Sequence, residues 1–157
     1  MPTATLLGYG HAELLTISDM HPKIKPQHIC FIGIRSFETE EAQLLTRLGA
    51  RIFYIEEVIE RGFPSVFEEA LRIVKNRTAG FGISLDLDGL DPIFAPGTGM
   101  HEPNGLSLPE VLQSFATVCG DPHFLGLEIA EFDPHACPDG RTTQAICDLL
   151  RAAFCHK

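Results

Sequence analysis

Apolar and polar positions along the chain change period several times, and each change marks an element. Residues 28–36 contain the unbroken apolar run Ile29-Cys30-Phe31-Ile32-Gly33-Ile34, the pattern of a parallel strand covered on both faces. Shorter runs at residues 52–55, 81–85 and 124–130 predict three more strands. Between them the period becomes helical. Glu38, Glu40 and Glu41 fall where the first turn of a helix favours anions, and Gly49 closes that helix. Residues 64–75 place Phe67, Ala70, Leu71 and Val74 at i, i+3, i+4 and i+7. Ser107 and Glu110 have capping-box spacing and open a helix to about residue 118, stopped by Gly120. A last helix over residues 142–154 is expected to bury Ile146, Leu149, Leu150 and Ala153. Before the first strand, Gly8 and Gly10 break residues 1–17 into a short helix and a second short piece, and Pro22 and Pro26 make residues 18–27 a loop.

Strand and helix alternate four times with no hairpin turn between strands, which predicts an α/β fold with a parallel sheet and helices on both faces. Ligand sites in such sheets lie beyond the carboxyl ends of the strands. Arg35, Glu38, Asp86, Asp88 and Glu131 all follow strands at that edge.

Composition narrows the function. The chain has 157 residues, 45% apolar and 21% charged, enough for one domain with a sizeable core. Twelve basic against 21 acidic residues give a net charge of −9, which argues against nucleic acid or an anionic membrane and is compatible with a cationic ligand. No run reaches the roughly 20 apolar residues of a membrane span, and the start lacks a basic region followed by an apolar core. Five cysteines without a C-x-x-C pair indicate reduced thiols rather than a disulfide framework or zinc ribbon, so a cytoplasmic protein is expected.

The densest chemistry is in SLDLDGLDP, residues 84–92. In extended chain Asp86 and Asp88 project to one side with Cα atoms roughly 7 Å apart, close enough to converge on a cation. Two unpaired anions ending an apolar strand repel each other and lose hydration, and a divalent metal relieves both costs. A plain Asp-Gly turn is the competing reading of this spacing. An EF-hand loop is excluded, because the twelfth position from Asp86 is Gly97 rather than a bidentate Glu.

SLDLDGLDP, followed by FAPGTG and then GLEIAEFDP, resembles the C-terminal half of the ureohydrolases, the family of arginases, agmatinases and formiminoglutamases. The resemblance implies part of a three-layer α/β/α arginase/deacetylase-like fold, its C-terminal four strands, with residues 1–157 as the C-terminal half of one domain. It implies two manganese ions in the complete site, with Asp86 and Asp88 as metal ligands, Asp88 bridging. Glu131 would act in catalysis by orienting the substrate guanidinium, which a carboxylate recognises bidentately. The segment IGIRSFETEE is similar to the arginase loop that receives a substrate α-amino group, which assigns Glu38 to substrate binding and favours arginase over agmatinase.

Glu128 stands where the family commonly has Asp, and Met100-His101 where it has Thr-Pro. His101 is either a proton carrier or ligand, or an exposed loop residue. The family's G-G-D-H, D-A-H-x-D and G-N-x-H-G-M-P stretches, which supply four further metal ligands and a proton-carrying His, are absent. The resemblance places Met1-Pro2 at the end of the last of them. The absent half also supplies a strand between the third and first strands of this chain, so two strand pairs with open edges are expected. Two functions follow from these expectations. One is the C-terminal part of a manganese ureohydrolase of arginase type, acting on a cationic guanidino molecule and inactive until a separate N-terminal half joins it. The other is a non-catalytic remnant kept for homo-oligomerisation or interaction. A metal-dependent sugar transferase with a DxD motif is disfavoured, because no glycine-rich phosphate loop precedes a helix.

Overall fold

The computed structural model of the chain describes residues 2–17, 22–37, 39–137 and 139–154. Its elements run α1 (Pro2–Leu6), α2 (Ala12–Leu15), β1 (Cys30–Ile34), α3 (Thr39–Leu48), β2 (Arg51–Tyr54), α4 (Ile55–Arg61), α5 (Phe63–Val74), β3 (Phe81–Asp86), α6 (Leu108–Phe115), β4 (Phe124–Ala130) and α7 (Arg141–Phe154). The four expected strands are present and all pairing is parallel. They form two separate two-stranded sheets, β1 with β2 and β3 with β4, as expected for a fold lacking the strand between β3 and β1. An open groove of about 1580 Å³ is lined by β1 and β3.

The two sheets are covered differently. Cys30, Ile32 and Phe53 face a core shared with α4 and α5, while Phe31, Ile52 and Tyr54 face α1 and α3 across a small apolar cavity. The first sheet therefore has helices on both faces. On the second, Phe81, Ile83, Leu85, Leu127 and Ile129 turn to the core with α6 and α7. Gly82, Ser84, Asp86 and Glu128 are exposed on its other face, contrary to the expectation of helices on both sides. The alternation of small or polar with apolar residues in FGISLD is the signature of that one-sided burial. Helices connect what the strands do not: α5 packs on α6, with the Phe67 and Phe115 rings 5.8 Å apart.

Three local expectations are corrected. Ile55 ends no strand and instead begins α4, where it and Val58 are buried. The Ser107–Glu110 capping box does not form: Ser107 makes no side-chain cap bond, and Glu110 Oε2 accepts the Phe63 N–H at 3.0 Å, capping α5. A free N–H at the start of a helix draws the nearest carboxylate whichever helix it belongs to. On α7, Leu149 and Ala153 are buried as expected, whereas Ile146 is half-buried and Leu150 exposed; Thr142 and Ala145 take the inner face.

No helix among the described residues is long and apolar enough to cross a membrane.

Candidate active site

The carboxyl ends of β3 and β4 lie side by side because the ladder runs in register from Gly82 opposite Gly126 to Asp86 opposite Ala130. That register delivers Asp86 as the last residue of β3 and Glu131 as the first residue after β4. Beyond Asp86 the chain tightens into a 3-10 turn, Leu87–Gly89, which carries Asp88 while Leu87 anchors it in the core with no exposed surface. Burial, and next the charges of Asp88, Glu131 and Glu128, hold the Asp86 carboxyl above its ordinary range. Four carboxylates thus share one edge. Glu128 accepts a hydrogen bond from the Ser84 hydroxyl at 2.6 Å, across the paired positions of the ladder.

Glu131 adopts φ +63°. A side-chain-bearing residue in the left-handed region costs roughly 1–2 kcal/mol, and such strain gathers where side-chain direction matters. Asp133 donates its N–H to the Gly97 carbonyl at 2.8 Å, and the Gly97 N–H donates to the Thr142 hydroxyl at 2.7 Å. These bonds tie the segment after β4 to the FAPGTG loop. Asp91 accepts from the Ile93 and Gly105 N–H groups, so the third aspartate of SLDLDGLDP shapes its turn instead of joining the edge. His101 lies on the exposed loop with its Nε2 at 2.8 Å from the Pro96 carbonyl, apart from the four carboxylates.

Arg35 follows β1 directly and reaches this edge. Its Nη2 donates to the carbonyls of Asp88 at 2.6 Å and Glu102 at 3.0 Å, and its Nη1 to that of Gly89 at 3.0 Å. The bulge that permits this approach is at Gly33, with φ +79°, where a Cβ would lie 2.8 Å from the Leu106 side chain. Glu38 lies outside the described residues.

The chain is similar in both sequence and backbone to known proteins. The arginase family model matches residues 2–155. The chain belongs to the arginase family. Arginase from Bacillus caldovelox is 35% identical over 157 residues, which is 100% of this chain and 52% of that protein. Its solved structure superposes with a TM-score of 0.93 over the same shares. Arginase from Brevibacillus brevis is 34% identical, covering 100% of this chain and 53% of that one. Entamoeba histolytica arginase in complex with L-ornithine is 27% identical with a TM-score of 0.87, covering 99% of this chain and 52% of that structure. The chain spans about half the length of the curated relatives it matches, and this is a partial arginase-type α/β fold with parallel strands.

Manganese can be weighed against the residues present. Asp86 and Asp88 supply hard oxygen donors of the kind that suit it. Neither side chain has a hydrogen bond or ion pair among the described residues. In number they fall short, because no three His, Cys, Asp or Glu side chains among the described residues are placed to hold an ion.

Proposed function

We propose that the chain is the C-terminal portion of a manganese-dependent ureohydrolase of arginase type, which converts arginine to ornithine and urea when a separate N-terminal half completes it. The observation that carries this reading is full-length similarity to arginases at 35% identity with only 52% of the relative covered, together with carboxylates at the shared strand edge. Manganese, when bound, supplies the Lewis acidity that makes water a nucleophile at neutral pH. Asp86 and Asp88 are the ligands this chain contributes to it, and the shortage of donors here makes the rest the task of the other half.

The chain's remaining residues bind and orient. Glu131, exposed and unpaired among the described residues, presents a carboxylate for bidentate pairing with a planar guanidinium. Glu38 is the counterpart for the α-amino group, and the ornithine held by the Entamoeba relative supports an amino-acid substrate over agmatine. The groove is charged in the same sense: Lys23, Lys25 and Arg77 precede its strands, and Asp86, Asp88 and Glu131 follow them. A cation is drawn to the acidic end. The partner half occupies the groove between β1 and β3, and five cysteines without a C-x-x-C pair suit a cytoplasmic assembly.

The test is urea release from arginine. The chain alone is expected to be inactive at every manganese concentration. Mixed with a polypeptide carrying the half of the arginase sequence it lacks, it should release urea, and Asp88→Ala should abolish that activity. Urea made by the chain alone, or none made by the mixture, refutes the proposal. The unpaired edges of β1 and β3 favour a second reading, a non-catalytic oligomerisation module. Light scattering that finds a defined oligomer with no uptake of the other half would establish it.

A further inference from the structure

We propose that Arg35 is the positioning residue of the acidic edge, fixing the turn that carries Asp88 so that Asp86 and Asp88 stay convergent. This rests on the reading of those two aspartates as ligands.

Arg35 belongs to the first strand pair, and all three of its acceptors belong to the loops of the second. Its two Nη atoms hold the consecutive carbonyls of Asp88 and Gly89 and the carbonyl of Glu102. Pinning two successive carbonyls fixes the peptide planes on both sides of Gly89. The direction of the Asp88 side chain follows from that backbone. The same turn is closed by the Leu90 N–H on the Leu87 carbonyl at 3.1 Å and the Leu106 N–H on the Gly89 carbonyl at 2.9 Å.

What Arg35 does not touch is equally informative. A guanidinium beside carboxylates ordinarily pairs with one of them bidentately. Here it forms no ion pair among the described residues, although it holds the main chain of Asp88 itself. Its donors are taken up by main-chain carbonyls, and the Asp86 and Asp88 carboxylates are left without a hydrogen bond or ion pair among the described residues. Its Nε is buried without a partner, so the side chain's pose is set by the loop carbonyls at the expense of its own third donor group. Without those bonds, like-charge repulsion would drive Asp86 and Asp88 apart.

The experiment uses the whole chain as wild type, Arg35→Met and Arg35→Lys, with manganese ion alone as probe. Amide hydrogen exchange is read residue by residue, and manganese affinity by electron paramagnetic resonance. Arg35→Met should speed exchange at Leu90 and Leu106 while Ile83 and Leu85 in the β3–β4 ladder keep wild-type rates. Manganese affinity should fall about tenfold or more, the usual cost of losing an outer-shell partner. Arg35→Lys keeps the charge but cannot span three carbonyls, so it should leave the affinity low. Wild-type exchange at Leu90 and Leu106 in Arg35→Met, loss of protection across the whole ladder, or full recovery of affinity in Arg35→Lys would each overturn the proposal. If the wild-type chain takes up no manganese, two aspartates without the other half do not hold the ion, in line with the shortage of donors, and exchange at Leu90 and Leu106 alone decides the role of Arg35.

Discussion

Thr142→Val removes one hydrogen-bond acceptor while leaving the shape of the core intact. Thr142 has no exposed surface, and its hydroxyl accepts the Gly97 N–H at 2.7 Å. Valine fills the same volume, so no cavity forms and overpacking is avoided. What changes is that a buried peptide N–H loses its partner, at a cost of about 1–3 kcal/mol. Water cannot replace the hydroxyl easily, because Gly97 is walled by the Cys137 side chain and the Asp133 carbonyl, each about 3 Å from where its Cβ would stand. For a domain of this size the cost corresponds to a fall in melting temperature of roughly 2–12 °C. Circular dichroism melts of wild type and variant measure it, and exchange of the Gly97 amide locates it. The carbonyl of the same glycine, in the next peptide group, accepts the Asp133 N–H, so the segment after Glu131 should gain mobility as well. A variant that melts at the wild-type temperature with its Gly97 amide still protected would refute the argument.

Three further outcomes are expected. The Cys137 S–H and then Arg141 hold Asp139 down to a pKa of about 2. A carboxyl depressed in the folded state contributes stability above its unfolded pKa and loses it as pH falls through the folded value. Acid titration of melting temperature should therefore show wild type losing more stability between about pH 4 and 2 than Asp139→Asn does; identical acid limbs would exclude this. Burial, the dominant cause, pushes the Cys30 thiol up to about 11. Its thiolate fraction near neutral pH is then roughly a hundredfold below that of an ordinary thiol, so Cys30 should be alkylated far more slowly than free cysteine in timed iodoacetamide labelling read by mass spectrometry, and a rate equal to that of free cysteine would contradict it. Asp86→Asn removes a charge that burial and three neighbouring carboxylates disfavour. It should raise the melting temperature of the metal-free chain, and a fall would mean that the carboxylate has a favourable partner.

The parts of this protein legible in its sequence are those written in local patterns. An unbroken apolar run marked β1 and shorter apolar stretches the other three strands, and the SLDLDGLDP and GLEIAEFDP stretches put Asp86, Asp88 and Glu131 at one edge, where the fold brings them together. Helix α4 was missed although its signal was present: Glu56 and Glu57 in a first turn, Ile55 and Val58 three apart, and Gly62 as a stop. The run of strand directly into helix at Tyr54, without glycine or proline, concealed the boundary. Glu110 was misassigned for a different reason. Its partner, the Phe63 N–H, is 47 residues away, and capping patterns report only neighbours in sequence. Arg35 is the extreme case, since it acts on main-chain carbonyls 53 to 67 residues distant and such acceptors leave no mark in residue identity.

The two strand pairs meet like the covers of a book, with Phe67 against Phe115 along the spine and one guanidinium as the clasp on the fore-edge. Among the described residues its covers are joined by no ladder, only by the shared core and the Arg35 bonds, so a strand can be added at the fore-edge without unzipping any other from its neighbour. A strand added between β1 and β3 would meet open edges on both sides, and its docking would be set by encounter rather than by prior unfolding.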